Sequence, residues 1–419
     1  MPDETLAADP PESVSIANAP SSSVVRQGAL VAVALTAANV LSYGVSVVAS
    51  RRLGPAEFGI FAAMLSLVIV GVVVSLALQT VVTRALSGQV HPDLAALAGT
   101  ALAGCLVTGT VTVAAAWPLA SFLHLASPAP VLWTAATLVS LTWAGFVQGA
   151  AQGRERFGLL AVVVLVVSTG KVLGGLAGLA VSRSASTTMA LTAAGTLIGA
   201  VVATWVARHL LTRPSTRGWR VAEVAKAAHA LFALFVLSNT DLLLARHFLP
   251  AVAAGLYGAG AVVAKVAFWL PQFVSVVALP RLVDPSRHSA AVRTSVLLLA
   301  AIGAAITAGT VVLGTVVVRL VGGSAYHDLA PHAWQFAAAG SALAMAQLLL
   351  YARLAHLDHR AALVVWCAVA VQVTIVATVA HGSVAAMIDT TLVVVLLLVG
   401  VGLLAERSKR QGETTPAAA

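Results

Sequence analysis

The chain has 419 residues, of which 59% are hydrophobic and only 9% charged, and its mean hydropathy is +0.96. A soluble protein of that length would divide into two or three domains with charged surfaces, and this composition excludes that class. The net charge of +9 is not a nucleic-acid signal, because the charges fall mainly in short gaps between apolar runs.

Residues 1–25 are polar, Pro/Ser-rich and acidic, and read as a disordered cytoplasmic tail. They lack the positive start of a signal peptide, and the apolar run that follows is too long for one. Twelve runs then succeed one another, at about 27–50, 59–82, 95–117, 130–150, 158–182, 188–210, 225–248, 253–279, 294–319, 332–352, 361–380 and 384–405, with ends good to about 2–4 residues. Each is near the ~20 residues that a spanning helix requires. Continuous apolarity without alternation argues against β-barrel strands. In lipid the backbone must satisfy its own hydrogen bonds, so the runs are predicted helices. The expected fold is an all-α integral membrane protein of about 12 transmembrane helices.

Seventeen of the 24 Lys/Arg fall in alternate gaps and tails that share a side with the N-terminus, and five (Arg51, Arg52, Arg183, Arg246, Arg319) fall on the other. The positive-inside rule then places both termini in the cytoplasm. Residues 211–224 are basic, contain a proline and lie at mid-chain. They read as a cytoplasmic linker between two six-helix lobes, 26–210 and 225–405, with 406–419 as a C-terminal tail.

The lobes show internal similarity, which points to pseudo-symmetry. RRLGPAEFGIF at 51–61 can be set against ARHFLPAVAAGLY at 245–257, so that Arg52 answers Arg246, Pro55 answers Pro250, Gly59 answers Gly255 and Phe61 answers Tyr257. TRAL at 83–86 likewise answers PRLV at 280–283. Parallel repeats of this kind place a site between them, near mid-membrane.

Polar residues within the runs are the candidates for function. Two lysines remain once topology has used the other cations: Lys171 in the fifth run and Lys265 in the eighth. A lysine at membrane depth costs about 3 kcal/mol on insertion scales, so each needs a partner or a wet cavity. Gly170, Gly174 and Gly178 form a seam beside Lys171 that admits another helix closely. Lys265, Trp269 and Gln272 share one helix face, and Pro271 should break the helix there. A cation, an indole and an amide on one face suit a phosphate and a sugar ring, although Trp269 standing alone would read first as a packing aromatic. Asp241 in the seventh run is open to pairing with Arg246 or Lys265, or to taking a proton or cation; Asp389 reads as interfacial. Polar stripes at Asn39 and Tyr43, and at Ser75, Gln79 and Thr83, fit either interhelical hydrogen bonds or a cavity face. Cys105 and Cys367 have no motif spacing and suggest neither a disulfide nor a metal site. Hydrolase, zinc-protease and nucleotide-binding motifs are absent, so the chain reads as a transporter without cofactors rather than an enzyme.

Three stretches carry a family resemblance. RRLGPAEFGIFAAMLSLV at 51–68 resembles the LGP-E-(F/Y)-G-x-(F/Y) loop of Wzx-type polysaccharide biosynthesis flippases, in the multidrug/oligosaccharidyl-lipid/polysaccharide superfamily. QGAAQGRERFGLLA at 148–161 is similar to their loop after helix four, and residues 239–282 are similar to their helix seven–eight segment. The resemblance implies a V-shaped, two-lobed bundle in the cell membrane. It would move a polyprenyl-diphosphate-linked oligosaccharide between leaflets by alternating access, with membrane lipids around it and a polysaccharide polymerase or glycosyltransferases as partners. It also implies a cationic cavity, for which Lys171, Lys265, Arg52 and Arg84 are the available charges, with Trp269, Gln272, Gln79 and Asn39 as polar neighbours. Asp241 and Arg246 are the candidates for ion coupling or gating. A cation-coupled multidrug exporter of the same fold is the alternative. A membrane glycosyltransferase or polymerase fits less well, because the outer gaps are short.

Overall fold

The computed structural model describes residues 22–88, 93–211, 220–271, 274, 288–354 and 360–414. Among these residues there is no strand. The helices are α1 (Ser22–Gly88), α2 (Leu94–Ala114), α3 (Ala116–Phe122), α4 (Ala129–Gly153), α5 (Phe157–Val181) and α6 (Ala185–Val206). They continue as α7 (Val221–Phe248), α8 (Ala251–Trp269), α9 (His288–Gly322), α10 (Ala333–Leu354), α11 (Arg360–Thr378) and α12 (Val384–Thr414). A 3-10 segment, Ser324–His332, joins α9 to α10. Nine helices among the described residues are long and apolar enough to cross a membrane. The protein is a multi-pass membrane protein.

α1 is two membrane helices in one. Its backbone breaks at Gly54, with φ 74° and ψ 167°. Only glycine takes that φ without strain, and the following Pro55 drives its predecessor to an extended ψ. Pro55 then starts the second arm, at the position where its missing N–H costs nothing. The third apolar run is also broken, into α2 and α3 at Ala115. Pro118 explains this, since it cannot donate to the carbonyl four residues back. Pro271 ends α8 at Trp269 for the same reason, and a turn follows at Leu270.

Three boundaries differ from the sequence expectation. α1 begins at Ser22, inside the segment read as a tail, and α12 continues to Thr414. Beyond the apolar run α12 is rich in Glu, Arg, Lys and Gln, which are good helix formers, so hydropathy marks where the membrane ends and not where the helix does. α7 begins at Val221, inside the segment read as a linker. Its first turns are held by the first lobe: Val224 joins the apolar cluster of Leu97, Ala101 and Val147, and the Arg220 backbone N–H donates to Thr100 Oγ1 at 3.0 Å.

The helices form two lobes, one of α1–α6 and one of α7–α12. In the first, α4 packs on α1 and α2, and α5 packs on α6. The glycine seam of α5 is what brings that last pair together: a Cβ on Gly170 or Gly174 would collide with the carbonyls of Gly195 or Leu191. In the second, α10 packs on α8, α9 and α12, and α11 packs on α7. The lobes meet where α1 meets α7 and α8. There Gly59 faces Gly255, and a Cβ added to Gly59 would lie 3.0 Å from the Gly255 backbone nitrogen. One turn on, a Cβ on Gly258 would lie 3.1 Å from that of Ala62. Both pairs are 196 residues apart in sequence, so each position touches its own repeat image and the pseudo-twofold axis runs between them.

Phe61 and Tyr257, another pair at that spacing, are 1% and 0% exposed. They belong to one apolar cluster with Phe58, Tyr326 and Phe336 that closes this end of the bundle across both lobes.

Candidate functional site

A cavity of about 320 Å³ lies between the lobes. Asn39, Ser42, Tyr43 and Ser46 line it from the first arm of α1, Thr137 from α4, Lys171 from α5 and Thr192 from α6. Phe235 and Leu242 of α7, with Lys265 and Trp269 of α8, complete it from the second lobe. Phe58, Phe61 and Gly258 also border it, so the lobe-to-lobe contact is its floor.

Helix rise sets the depth of the two lysines. Lys171 stands ten residues before Val181 at the closed end, about 15 Å along α5. Lys265 stands fourteen residues after Ala251, about 21 Å along α8. In a hydrocarbon core of about 30 Å both lie near the middle. Among the described residues neither has a hydrogen-bond or ion-pair partner. The surrounding hydroxyls are occupied as donors by their own helices: Ser42 bonds Ala38 O at 2.8 Å, Thr137 bonds Trp133 O at 2.9 Å and Thr192 bonds Thr188 O at 2.7 Å. Their lone pairs remain free to accept. The cavity thus presents two lysines, one of them within electrostatic reach of Asp241, a ring of acceptor oxygens, an indole and apolar walls.

A second, smaller pocket adjoins it, lined by the second lobe and by Ile69 of α1, and Lys265 and Trp269 border both. Asp241, Asn239, Gln347 and Thr391 line it. Asp241 Oδ2 accepts a 2.8 Å bond from the Tyr257 hydroxyl. That hydroxyl lies 3.5 Å from Thr391 Oγ1, which accepts from Gln372 Nε2 at 3.0 Å. Asn239 Oδ1, Gln372 Oε1 and Gln347 Oε1 are buried without a hydrogen-bond partner. A carboxylate with several spare carbonyl oxygens nearby is a chemistry that suits a proton or a hard cation.

The structure gathers Lys171, Lys265, Trp269 and Asn39 at the cavity and puts Asp241 beside it. Other candidates lie elsewhere. Gln79 Nε2 donates to Gln152 Oε1 at 2.8 Å, tying α1 to α4. Arg52 and Arg84 are exposed on α1 and contribute nothing to the cavity lining; Arg52 sits at the closed end beside Gly54, and Arg84 about 45 Å along the second arm from that break. Gln272 lies outside the described residues. Arg246 does not pair with Asp241: its Nε and Nη2 donate to the carbonyls of Leu123 and His124, at 3.1 and 3.3 Å.

Sequence reasoning missed Ser42 and Ser46, though they extend the Asn39–Tyr43 face at helical spacing. It also missed Tyr257, whose signal was in the repeat: Phe61 in one lobe answers a tyrosine in the other, where Asp241 waits.

No family model matches the chain, and no curated protein matches it in sequence. Solved structures do match. A multidrug resistance MATE family transporter of the MOP superfamily, in an inward-facing conformation, aligns with TM-score 0.68 over 89% of this chain and 96% of its own, at 11% identity. The lipid II flippase MurJ, in an inward closed conformation, aligns with TM-score 0.68 over 90% of this chain and 87% of its own, at 12% identity. A mutant of the Vibrio cholerae MATE transporter VcmN aligns with TM-score 0.58 over 94% of this chain and 98% of its own, at 15% identity.

The chain shares the two-lobed fold of these transporters. Both lobes are included, since the alignments span nearly the whole chain. The cavity between the lobes is where Lys171 and Lys265 converge.

Proposed function

We propose that this protein is a flippase of the cytoplasmic membrane, carrying a polyprenyl-diphosphate-linked oligosaccharide from the inner to the outer leaflet for cell-surface polysaccharide biosynthesis. The observation that carries this reading is the pair of lysines, one from each lobe, that line one mid-depth cavity, with a single carboxylate, Asp241, beside Lys265. A diphosphate supplies the missing charge. Trp269, one helical turn from Lys265, offers an apolar face to a sugar ring, and Asn39 with the accepting hydroxyls offers hydrogen bonds to its hydroxyls. The polyprenyl tail would stay in the bilayer. Both termini lie in the cytoplasm on this reading, so the end closed at Gly59 and Gly255 is the outer one, and the cavity belongs to an inward-oriented state. Arg84, exposed toward the inner end of the second arm of α1, and Arg52, exposed at the outer end of the first arm, add positive field where an anionic cargo arrives and leaves.

The Asp241–Tyr257–Thr391 cluster serves as the coupling site: occupancy by a cation or proton changes the charge beside Lys265 and so the cavity's hold on an anion. The same cluster favours a second reading, cation-coupled export of a drug. Deleting the gene and measuring lipid-linked oligosaccharide by leaflet separates the two. Accumulation on the cytoplasmic face is expected. An unchanged leaflet distribution with altered drug sensitivity would establish the exporter instead.

A further inference from the structure

The closed end is held by two equivalent polar docks. In the first, the second lobe reaches into the first. α3 ends at Phe122, and His124 takes a left-handed conformation with φ 51°. The Leu125 N–H bonds back to Ala120 O at 2.8 Å, which is the usual way a helix stops after such a residue. The carbonyls of Phe122, Leu123 and His124 then point away from the helix. His247 Nδ1 donates to Phe122 O at 2.7 Å, and Arg246 donates to the other two. The His247 ring also stacks on Phe122, at 4.1 Å and 5°.

In the second dock the first lobe reaches into the second. α9 ends at Gly322, and Gly323 follows with φ 82°. Here the carbonyls of Arg319, Leu320 and Val321 are taken by the dipeptide Ser50–Arg51. Arg51 Nη2 donates to Arg319 O at 3.2 Å and to Leu320 O at 2.5 Å, and Ser50 Oγ donates to Val321 O at 2.6 Å. The Tyr326 hydroxyl closes the ring by donating to Ser50 O at 3.0 Å.

Ser50–Arg51 and Arg246–His247 are 196 residues apart, the same spacing as the facing glycines. The repeat register is therefore not the one that sets Arg52 against Arg246. Pro55 starts a helical arm, whereas Pro250 stands one position earlier as the cap of α8, so aligning the prolines slips the register by one and aligning Arg52 with Arg246 slips it by two. In each lobe a polar dipeptide at the end of the first helix caps three consecutive carbonyls at the end of the other lobe's third helix. Those carbonyls stand at the negative pole of their helix, and all but Arg319 O, which also accepts the Gly323 N–H, lack a backbone donor beyond the helix end among the described residues, so a cation is the fitting cap.

We infer that these two dipeptides form a reciprocal clasp, and that the cavity opens at this end only when both docks release. The inference rests on alternating access and not on the identity of the cargo. Both docks bridge the two lobes, so separating the lobes there breaks both sets of bonds. Their strengths differ: Arg246 is 7% exposed, while Arg51 is exposed to solvent.

Spin labels at Arg183→Cys and His327→Cys, in a background with Cys105 and Cys367 replaced by Ala, report the separation of the lobes at this end. In the purified protein one short-distance population is expected. Arg246→Gln should raise the open-to-closed ratio about tenfold, Arg51→Gln less, and the double variant more than either. A folded, monodisperse double variant with the parental distance distribution would overturn the clasp. Should the double variant not fold, a disulfide lock decides. Ser50→Cys with Val321→Cys, oxidised in membranes, should cut labelling of Ser46→Cys by an impermeant maleimide from the closed side about tenfold, with recovery on reduction. Labelling that ignores the lock would overturn the clasp equally. Neither assay needs the cargo, so failure of the flippase reading leaves both results interpretable.

Discussion

Gly59 and Gly255 touch across the pseudo-twofold axis, each the repeat image of the other. The contact tolerates no side chain on the second-lobe partner, because a Cβ on Gly255 would collide with the carbonyl of Pro55. That carbonyl belongs to the turn of backbone set by Gly54, which cannot move without refolding the junction of the two arms. Gly59 has slightly more room, since its Cβ would meet backbone at 3.0 and 3.3 Å. Gly255→Ala should therefore destabilise the closed state by about 1–3 kcal/mol, and Gly59→Ala by less. Thermal unfolding of the purified variants checks this. Equal melting temperatures for Gly255→Ala and the parent would mean that the lobes do not meet as closely as this.

Much of this architecture was legible in the sequence, for physical reasons that differ by feature. Apolar run length gave the helices because lipid leaves the backbone no other partner. The Leu53–Gly54–Pro55 break and the stop at Pro271 were legible because Gly and Pro act locally. The Gly59–Gly255 pairing was visible as similarity, but its meaning as a self-contact on an axis required the lobes to be seen together. The role of Arg246 was not legible at all. Its partners are backbone carbonyls, which every residue carries and no pattern of side chains advertises. Arg52 and Arg84 show the opposite limit, since sequence gives their charge and depth but not the helix face they occupy.

Lys171 and Lys265 should be required for transport but not for folding. Each lines open cavity rather than packed core, so Lys171→Gln and Lys265→Gln remove a charge without opening a void, although Lys265→Gln also takes a neighbouring positive charge from Asp241. Each single variant should lower flipping of the lipid-linked oligosaccharide about tenfold or more, with normal abundance in the membrane. The double variant should be inactive, and Arg at either position should restore part of the activity. Full activity in the folded double variant would remove these lysines from the site.

Asp241 should carry the response to a coupling cation. It accepts a hydrogen bond from Tyr257, and it lines one small pocket together with Asn239 and Gln347, whose side-chain oxygens are unsatisfied. A bound cation stabilises whichever state it prefers by mass action. The melting temperature of the parent should therefore rise with one of Na⁺, K⁺ or H⁺, while Asp241→Asn should be insensitive to all three. Tyr257→Phe should keep the response in weakened form, because it removes one hydrogen bond of about 1–2 kcal/mol and leaves the carboxylate. A response that survives intact in Asp241→Asn would move the coupling site elsewhere.

Trp269 separates recognition of the glycan from recognition of its charge. It borders the cavity one helical turn beyond Lys265, and Phe268 meets it edge-on at 5.3 Å and 79°, which steadies the indole plane. A ring that stacks on a sugar can be replaced by another ring but not by a methyl group. Trp269→Phe should keep most transport activity, and Trp269→Ala should lose about tenfold. The loss should be specific to the glycan: binding of inorganic diphosphate, followed by calorimetry, should fall in Lys265→Gln and stay unchanged in Trp269→Ala. If Trp269→Ala lost diphosphate binding as well, the indole would be positioning Lys265 rather than meeting sugar.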